Sequence, residues 1–414
     1  MSHLGAIADD FTGATDLATN LAKRGFQVVV VPEDSLTSND RDDASYEAVV
    51  VALKTRTAPV SQAVADSLRA LDYLQSLGCE RIYDKYCSTF DSTDEGNIGP
   101  ILDALAERLD VRTTVVVPSF PANGRTVTNG VLSVNGELLE NSSMRNHPLT
   151  PMTKSRVAEI LTPQTTGTVS EIGTETVEAG TQSLDAALAS AHTRYVVVDA
   201  STDEHLATIA DATSASALIS GGSGLALGLR PRTTGNASPM SATTGRQLVL
   251  SGSASTATRG QVAHATSTLS FYKIDVEQLV VDQNAARADA LAWIERQNAD
   301  DTVLVYAVDS LEDLELSRSL PADVSALVEW LLGEIAIAAV HEHAYSRIIV
   351  AGGETSGSVV KALGIDRLII GPEIAPGVCW SSGTTSNGVS VNLALKSGNF
   401  GAPDMFSTAW KELA

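Results

Sequence analysis

The chain has 414 residues, of which 43% are hydrophobic, and its formal net charge at pH 7 is −22. This length favours two domains of roughly 100 to 200 residues each, and the hydrophobic share is typical of a globular protein. The acidic balance argues against nucleic acid and anionic membrane surfaces as partners, because both attract clusters of Lys and Arg.

The three cysteines show no CxxC spacing, so the sequence predicts neither a disulfide framework nor a zinc site. No apolar run approaches the roughly 18 residues of a membrane span. The first ten residues run straight into a strand-like segment, without a signal-peptide layout. We therefore expect a cytoplasmic protein.

In chain order, strand-like apolar runs alternate with amphipathic helix-like runs, which predicts βαβ units, mostly parallel sheets and an α/β fold. The predicted strands lie at 4–8, 28–31, 48–53, 81–87, 113–117, 248–250, 302–308, 347–350 and 367–370. The predicted helices follow at 14–21, 64–74, 98–109, 285–297 and 325–341.

One stretch departs from this alternation. Asn129-Gly130 and Asn135-Gly136 are hairpin turn signals on either side of a short apolar run. They predict a β-hairpin inserted in the N-terminal domain, and such an arm serves equally well as a lid or as a subunit contact.

Residues 231–246 are rich in Thr, Ser, Gly, Ala and Pro and have no apolar period. This composition predicts a linker. We therefore expect one domain at 1–230 and a second at 247–414.

Polar loops follow several predicted strands, where open α/β sheets bind their ligands. Asp9 and Asp10 stand between the first strand and the first helix. Two acids at such a place can hold a metal ion or act on a hydroxyl proton. Alternatively, Asp10 or Thr12 caps the helix, and both readings hold if one acid caps while the other faces a ligand.

Two further loops carry cations that suit an acidic ligand. Lys85 precedes Ser88 and Thr89 ahead of a helix start, where backbone N–H groups favour an anion, and Arg125 lies in a Pro- and Gly-containing loop at 118–126. An Arg pairs with a carboxylate through two hydrogen bonds. Arg56 and Lys396 are further candidates, and the alternative for each cation is a solvated surface charge.

The second half is rich in glycine loops. Residues 350–358 form a strand end, a Gly-rich turn and a helix start, which suits close backbone approach to phosphates, although the loop is neither a Walker A motif nor a GxGxxG fingerprint. Related loops lie at 251–255, 371–377 and 396–401. Together they indicate a nucleotide. The glycine run at 220–224 has either a structural or a ligand-facing role.

At these residues the sequence resembles the four-carbon acid sugar kinase family. The matching stretches occur in order along nearly the whole chain: ADDFTGATD at 8–16, CSTFDS at 87–92, GNIG at 96–99, NGRTV at 123–127, HPLTPM at 147–152, GGETSG at 352–357 and KSGNFG at 396–401. No single stretch is specific, but the set is. The chain is most similar to the branch with His-Pro at 147–148, where the threonate branch has Asp-Pro.

The resemblance implies an N-terminal sugar-acid-binding domain, a C-terminal ATP-binding domain and an active site in the cleft between them. It implies transfer of a phosphoryl group from ATP, with Mg²⁺, to the terminal hydroxyl of a four-carbon 3-oxo acid in sugar-acid catabolism. Threonate, erythronate and 3-oxo-isoapionate stay open as substrates. We expect a homo-oligomer, a dimer, whose partners are the small sugar acid and ATP.

The resulting site hypothesis names residues in three roles, with metal ligands unassigned. The catalytic candidates are Asp10, Asp9 and Arg125. The substrate-binding candidates are Lys85, Ser88, Thr89, Asp91, Asn123, Gly124, Arg56 and His147. The ATP-binding candidates are Ser253, Ser255, Gly352, Gly353, Glu354, Thr355, Gly398 and Lys396.

Two rivals come from other classes. A non-catalytic two-lobed sugar-acid sensor predicts ligand binding without ATP consumption. A nicotinamide-dependent dehydrogenase is disfavoured because no GxGxxG follows the first strand.

Overall fold

The structure is a computed structural model that describes residues 3–36, 41–146, 150–232 and 240–413. Its contacts divide the chain into two compact units, Met1–Ser238 (unit 1) and Pro239–Ala414 (unit 2). Both units are α/β, as the sequence predicts.

Unit 1 alternates strands and helices along most of its length. Its strands are β1 His3–Ala8, β2 Val28–Pro32, β3 Ala48–Ala52, β4 Cys79–Lys85, β5 Thr114–Val117, β6 Arg125–Thr128, β7 Val131–Val134, β8 Glu137–Leu138, β9 Val169–Ile172, β10 Tyr195–Val198 and β11 Leu218–Gly221. Its helices are α1 Phe11–Lys23, α2 Val60–Ser76, α3 Ile98–Arg108, α4 Val157–Leu161, α5 Thr174–Glu178, α6 Thr181–Ser190 and α7 Asp203–Ala212.

The main sheet of unit 1 has the strand order β2-β3-β1-β4-β11-β5-β10-β9, and its neighbouring strands pair in parallel. Strands β2, β3, β5 and β10 are buried along their whole length. Parallel strands covered on both faces read as continuous apolar runs, which is why sequence alone locates β2, β3 and β5. Because the strands are parallel, their carboxyl ends meet at one edge.

The predicted hairpin is present and has a third strand. β6, β7 and β8 form a small antiparallel sheet. Asn129, Gly130, Asn135 and Gly136 all have positive φ, as two-residue hairpin turns of this type require. The carboxylate of Asp199 accepts hydrogen bonds from Asn129 N at 2.6 Å and Gly130 N at 2.9 Å, which fixes the first turn on unit 1. Whether this sheet is a lid or a subunit contact stays a prediction.

The first strand of unit 2 begins at Arg246, two residues before the predicted start at residue 248. Its strands are β12 Arg246–Ser251, β13 Ser270–Lys273, β14 Val303–Tyr306, β15 Tyr345–Ala351, β16 Leu368–Ala375, β17 Val378–Thr384 and β18 Ser390–Lys396. Its helices are α8 Thr256–Ala265, α9 Val276–Val281, α10 Gln283–Glu295, α11 Leu311–Ser319, α12 Val324–Glu342, α13 Gly353–Ala362 and α14 Met405–Thr408.

The sheet of unit 2 has the order β13-β14-β12-β15-β18-β17-β16. Its pairs are parallel from β13 to β18 and antiparallel from β18 to β16. Trp380 and Trp410 anchor the core beside the antiparallel strands, with ring centroids 5.5 Å apart. The Trp380 indole N–H donates to Ala409 O at 3.0 Å, so its polar atom is satisfied inside the core.

The prediction that no apolar stretch approaches the length of a membrane span is wrong by length and composition alone, because helix α12 meets both criteria. Just over half of that apolar window, 56%, is buried inside unit 2. Buried residues occur on successive turns, including Val328, Leu331 and Ile335. This is the pattern of a core helix that packs in a globular domain.

Candidate active site

Three charged residues meet where β1, β3 and β4 end. The pairing places Ala8 opposite both Ala52 and Lys85, so the loops that follow these strands begin at one level of the sheet edge. Arg56 holds Asp9 through two hydrogen bonds, Nε to Oδ2 at 2.7 Å and Nη2 to Oδ1 at 2.9 Å. Lys85 Nζ lies 3.8 Å from Asp9 Oδ1. The three side chains thus form one cluster from loops far apart in sequence.

Asp10 joins this cluster and also caps α1. Its Oδ1 accepts from Gly13 N at 2.7 Å and its Oδ2 accepts from Thr12 Oγ1 at 3.1 Å. Arg56 Nη2 lies 3.1 Å from Oδ2 and Lys85 Nζ lies 3.8 Å from Oδ1. The capping reading of the sequence is therefore confirmed for Asp10, which also contacts the two cations, while a role of this acid toward a ligand stays a prediction.

The charge of Asp10 follows from these contacts. Burial by itself raises the pKa of the carboxyl, but Arg56, Lys85 and the hydrogen bonds from Gly13 and Thr12 outweigh it and hold the pKa below its ordinary value. Asp10 is therefore an ionised acceptor at neutral pH, suited to orient a hydroxyl group.

Lys85 is nearly enclosed, with its side chain 4% exposed. Its Nζ lies directly over α1, since a Cβ added at Gly13 would stand 1.8 Å from that atom. The absence of a Cβ at Gly13 therefore leaves the space that Lys85 Nζ occupies beside the two carboxylates.

The loop after β4 supplies buried polar groups. Thr89 Oγ1 lies 2.8 Å from Cys87 Sγ, and Thr89 and Asp91 are both buried. Burial raises the pKa of the Cys87 thiol to about 12, which keeps it protonated and argues against a nucleophilic cysteine. Ser88 packs against Gly222, at the end of β11.

The loop after β5 carries a cation without a carboxylate partner among the described residues. The Arg125 guanidinium donates to the backbone oxygen of Asn123. Arg125 Nε, Asn123 Nδ2 and Ser119 Oγ are buried and make no hydrogen bond within the described ranges. Burial lowers the pKa of Arg125, against the opposing influence of Cys87, Asp91 and Asp16. Unpaired buried donors around an unpaired cation suit an anionic ligand.

Gly124 shapes this loop. It has a φ of +70°, and a Cβ there would stand 2.1 Å from Asn135 Oδ1 in the small antiparallel sheet. The glycine run at 220–224 has a comparable structural role, because a Cβ at Gly221 or Gly222 would stand within 2.7 Å of Val117 O or Pro118 O.

Two residues that the site hypothesis omits support the cluster. The Asn97 side chain donates to Thr55 O at 2.6 Å and Ala58 O at 2.8 Å, which holds the loop that presents Arg56. Asp16 accepts a hydrogen bond from Ser223 Oγ, and burial raises its pKa. Both residues lie in stretches that match the family. The resemblance could therefore have identified them as site residues.

In unit 2, three glycine- and serine-rich loops meet at one edge because β12, β15 and β18 are neighbours. Ser255 caps α8 by accepting from Thr258 N at 3.2 Å, and its hydroxyl donates to Gly398 O at 2.5 Å. A Cβ at Gly398 would stand 2.7 Å from Ser253 Oγ. The loop after β18 thus packs directly on the loop after β12.

The loop after β15 completes this group. Gly352 has a φ of +126°, and a Cβ there would stand 2.8 Å from Thr355 Oγ1 and 3.4 Å from Ser253 N. Gly353, Glu354 and Thr355 form the first turn of α13. Helix N-termini and glycine backbones without Cβ atoms fit the phosphates of a nucleotide.

The amino group of Lys396 is not directed toward a phosphate site. Its side chain is fully buried, and Nζ donates to Thr258 Oγ1 at 2.8 Å, Ser397 O at 3.0 Å and Gly398 O at 2.9 Å. Burial lowers its pKa to about 7. Since its donors are directed to the protein, this geometry gives Lys396 the role of holding the Gly398 loop.

Two further expectations concern His147 and a metal ion. His147 lies outside the described residues. Within the described ranges no group of three or more His, Cys, Asp or Glu side chains is arranged to hold a metal ion. Mg²⁺ commonly binds through one or two carboxylates together with substrate phosphates. The protein ligands of Mg²⁺ therefore stay unassigned.

Comparisons with known proteins agree with this division of roles. A domain-family model described as a sugar-binding N-terminal domain matches residues 4–229, and one described as a nucleotide-binding C-terminal domain matches residues 248–406. Together with the two loop clusters, they define a nucleotide-binding sugar-acid kinase. The chain belongs to the four-carbon acid sugar kinase family.

Individual relatives extend over the full length. A protein named 3-oxo-tetronate kinase from Brucella melitensis biotype 1 is 43% identical and is covered over 95% of its length by 99% of this chain. One of the same name from Pectobacterium atrosepticum is 41% identical, with complete coverage of both chains. A crystal structure from Salmonella typhimurium LT2 matches 98% of both chains with a TM-score of 0.85 and 40% identity.

Proposed function

We propose that this protein transfers the γ-phosphoryl group of ATP to the C4 hydroxyl of 3-oxo-tetronate and forms 3-oxo-tetronate 4-phosphate. The observation that supports this most strongly is the full-length similarity to proteins named 3-oxo-tetronate kinase. The charged loops of unit 1 supply groups that can bind the acid and orient its hydroxyl. The glycine loops of unit 2 supply backbone that can bind the phosphates of ATP. We further propose that the protein acts in the cytoplasm, as a dimer.

The acid is held in unit 1. Arg125, with unpaired donors beside Asn123 and Ser119, binds the substrate carboxylate, and Thr89 and Ser88 contribute hydroxyl groups nearby. Charge-assisted pairs of Arg with carboxylates are among the stronger hydrogen bonds in proteins. The remaining hydroxyls of the acid then face the Asp9, Asp10 and Lys85 cluster.

Asp10 orients the attacking hydroxyl, and Lys85 offsets the charge that develops there. Phosphoryl transfer depends mainly on positioning and charge stabilisation, with little covalent work for the protein. An ionised carboxylate fixed by four contacts is suited to that task. Asp9 accepts hydrogen bonds from Nε and Nη2 of Arg56. It therefore keeps Arg56 in contact with Asp10.

The nucleotide is held in unit 2 by Ser253, Ser255, Gly398 and the Gly352 to Thr355 turn. A Cβ at Gly352 or Gly398 would fill the cradle that these loops form, which fits a bound phosphate chain. Bound Mg²⁺ neutralises phosphate charge during transfer.

A coupled ADP-release assay with Mg-ATP tests this function. The acids to compare are 3-oxo-tetronate, L-threonate, D-threonate, D-erythronate and 3-oxo-isoapionate. We expect turnover of 3-oxo-tetronate at least about tenfold above the others, a difference of about 1.4 kcal/mol in transition-state binding. Preference for another acid reassigns the substrate. If ATP produces no thermal shift and no acid is turned over, the kinase assignment fails and a sugar-acid sensor replaces it.

A further inference from the structure

Lys396 contacts all three loop regions of the proposed nucleotide site in unit 2. Its backbone oxygen accepts a hydrogen bond from Gly352 N at 2.9 Å, in the loop after β15. Its amino group donates to Gly398 O at 2.9 Å and to Thr258 Oγ1 on α8 at 2.8 Å. Ser255, which precedes α8, donates to the same Gly398 oxygen. A change in the charge of Lys396 therefore acts directly beneath the loops proposed to bind phosphate.

The amino group of Lys396 is fully buried and has only neutral hydrogen-bond partners, two backbone oxygens and one hydroxyl. Burial lowers its pKa to about 7, and no charged neighbour contributes to this shift. The charged or titratable side chains on the helices and strand packed around it are Arg259 and His264 of α8, Arg347 of β15, and Glu354 and Lys361 of α13. A buried cation without a compensating charge is costly, so the site favours an anion that arrives from outside.

The hydrogen bonds around Lys396 fit both of its protonation states. A charged amino group has three N–H donors, one each for Thr258 Oγ1, Ser397 O and Gly398 O. A neutral amino group has two donors and a lone pair, which can accept from the Thr258 hydroxyl. That hydroxyl also lies 2.8 Å from Gly398 O, so it can turn from one acceptor to the other. Lys396 can therefore gain or lose its proton without a broken hydrogen bond in the loop.

We propose that Lys396 takes up a proton when ATP binds, and that its positive charge beneath the Gly398 loop then holds the phosphates in position. This inference rests on the proposed binding of ATP by unit 2. The phosphate chain carries several negative charges, and charges interact more strongly inside a protein than in water. Lys396 is thus a positioning residue, which contacts the loops and acts on the nucleotide through its charge.

The sign of the pH dependence follows from this arrangement. Negative charge over the loop raises the pKa of the amino group beneath it. The affinity that this charge contributes is fully present below the ligand-free value of about 7 and is lost as the pH rises through the higher value of the complex. If ATP raises the pKa by about one unit, we expect uptake of about 0.5 proton at pH 7.5 and about a sevenfold loss of ATP affinity between about pH 6.5 and about pH 9.

Calorimetric titration of the acid-free protein with Mg-ATP at about pH 7.5 counts these protons. HEPES and Tris differ in ionisation enthalpy, so the difference between the binding heats in the two buffers is proportional to the protons taken up. With Mg²⁺ in excess, ATP itself exchanges no proton at this pH. We expect about 0.5 proton for the wild type. Binding without proton uptake would overturn this inference and leave the kinase assignment intact, whereas no binding in either buffer would overturn both.

Two variants and a control assign the proton to Lys396. Lys396→Met removes the titrating group, so proton uptake should disappear. Lys396→Arg keeps a positive charge that does not titrate in this range, so it should abolish both the uptake and the pH dependence of ATP affinity. Lys411→Met is the control, because Lys411 is an exposed lysine of the same unit, and it should keep the uptake of the wild type. Uptake that survives in Lys396→Met would contradict the assignment.

A measurement on the wild type does not depend on the folding of these variants. In protein labelled with ¹³C at the lysine Cε, the resonance of Lys396 is recognised by its titration near pH 7, since an ordinary lysine titrates near about 10.4. We expect its midpoint to rise by about one pH unit when Mg-ATP is bound. An equal midpoint with and without the nucleotide would refute the coupling.

Discussion

The two loop clusters use different chemistry to suit two anionic ligands. The cluster of unit 1 consists of ionised side chains, Asp9, Asp10, Arg56 and Lys85, which contact one another. The cluster of unit 2 consists of glycines, serine and threonine hydroxyls and helix N-termini, and its lysine, Lys396, is buried beneath the loop. Unit 1 therefore depends on charge, while unit 2 depends on backbone shape.

Because of this difference, the two clusters should lose ligand binding through different kinds of substitution. Side chains that hold charge fail when the charge is removed, even if the shape is kept. Glycine loops that bind a ligand through their backbone should lose affinity when a Cβ is added, even if no charge changes. Substitutions of single residues can therefore separate a loss of charge from a change of backbone shape.

Removal of the Asp10 carboxylate should have the largest effect. Asp10→Ala should lower kcat by about 10²-fold or more, the scale of losing a group that acts on the reacting proton. Asp10→Asn keeps an N-cap of similar quality but loses the charge that contacts Arg56 and Lys85, so its melting temperature should fall less than that of Asp10→Ala while activity is still lost. Steady-state kinetics with both variants separate charge from capping, and a fully active Asp10→Ala would remove Asp10 from the mechanism.

Replacement of Arg125 should weaken binding of the acid. Arg125→Gln should raise KM for the sugar acid about 10- to 100-fold, because a hydrogen bond to a charged group contributes roughly 1.5 to 3 kcal/mol. KM for ATP should not change. Arg108→Gln, which breaks an exposed pair with Asp72, is the control and should leave both constants unchanged. An unchanged acid KM in Arg125→Gln would refute the carboxylate contact.

Addition of a methyl group to the unit 2 cradle should act on ATP alone. Gly352→Ala forces a side chain into a conformation with φ of +126° and against Thr355, a strain of about 1 to 3 kcal/mol. We expect ATP affinity to fall about tenfold in calorimetry performed without the acid. Gly260→Ala on α8 is the control, since a Cβ there meets nothing within 4 Å. Equal ATP affinity of Gly352→Ala and wild type would contradict the cradle.

The buried Lys396 should affect mainly how the free energy of unfolding depends on pH. Its folded-state pKa of about 7 lies below the value of about 10.4 for an unfolded lysine. The unfolded chain therefore binds more protons between these values, so the free energy of unfolding contributed by this group rises with pH from about 7 to about 10. Urea unfolding of the wild type minus that of Lys396→Met should show this rise. A difference that is constant over this pH range would contradict the lowered pKa.

Much of the framework was predictable because local patterns determine it. Buried runs such as 28–31 and 48–53 specify parallel strands, and the Asn-Gly pairs specify the hairpin turns. Asp9, Asp10, Lys85 and Arg125 became candidates because each lies near or after the end of a predicted strand, and carboxyl ends of parallel strands share one edge.

The remaining features depend on contacts between distant residues. The interaction of Asn97 with Thr55 and Ala58 cannot be read from spacing. Lys396 is the last residue of its strand, as Lys85 is. Which side chain faces a ligand depends on the packing around it, and Thr258 and Gly398 direct Lys396 inward. The third strand of the hairpin sheet, only two residues long, is too short to give a periodic signal.

The position of the phosphate in the product shows whether the C4 hydroxyl is the acceptor. The enzyme would be incubated with Mg-ATP and 3-oxo-tetronate, and the product examined by proton-coupled ³¹P NMR. Phosphorylation of the C4 hydroxyl predicts coupling of the phosphorus to the two protons on that carbon, which gives a triplet or a doublet of doublets. A doublet, which the single proton at C2 would give, or the appearance of inorganic phosphate alone would contradict transfer to C4.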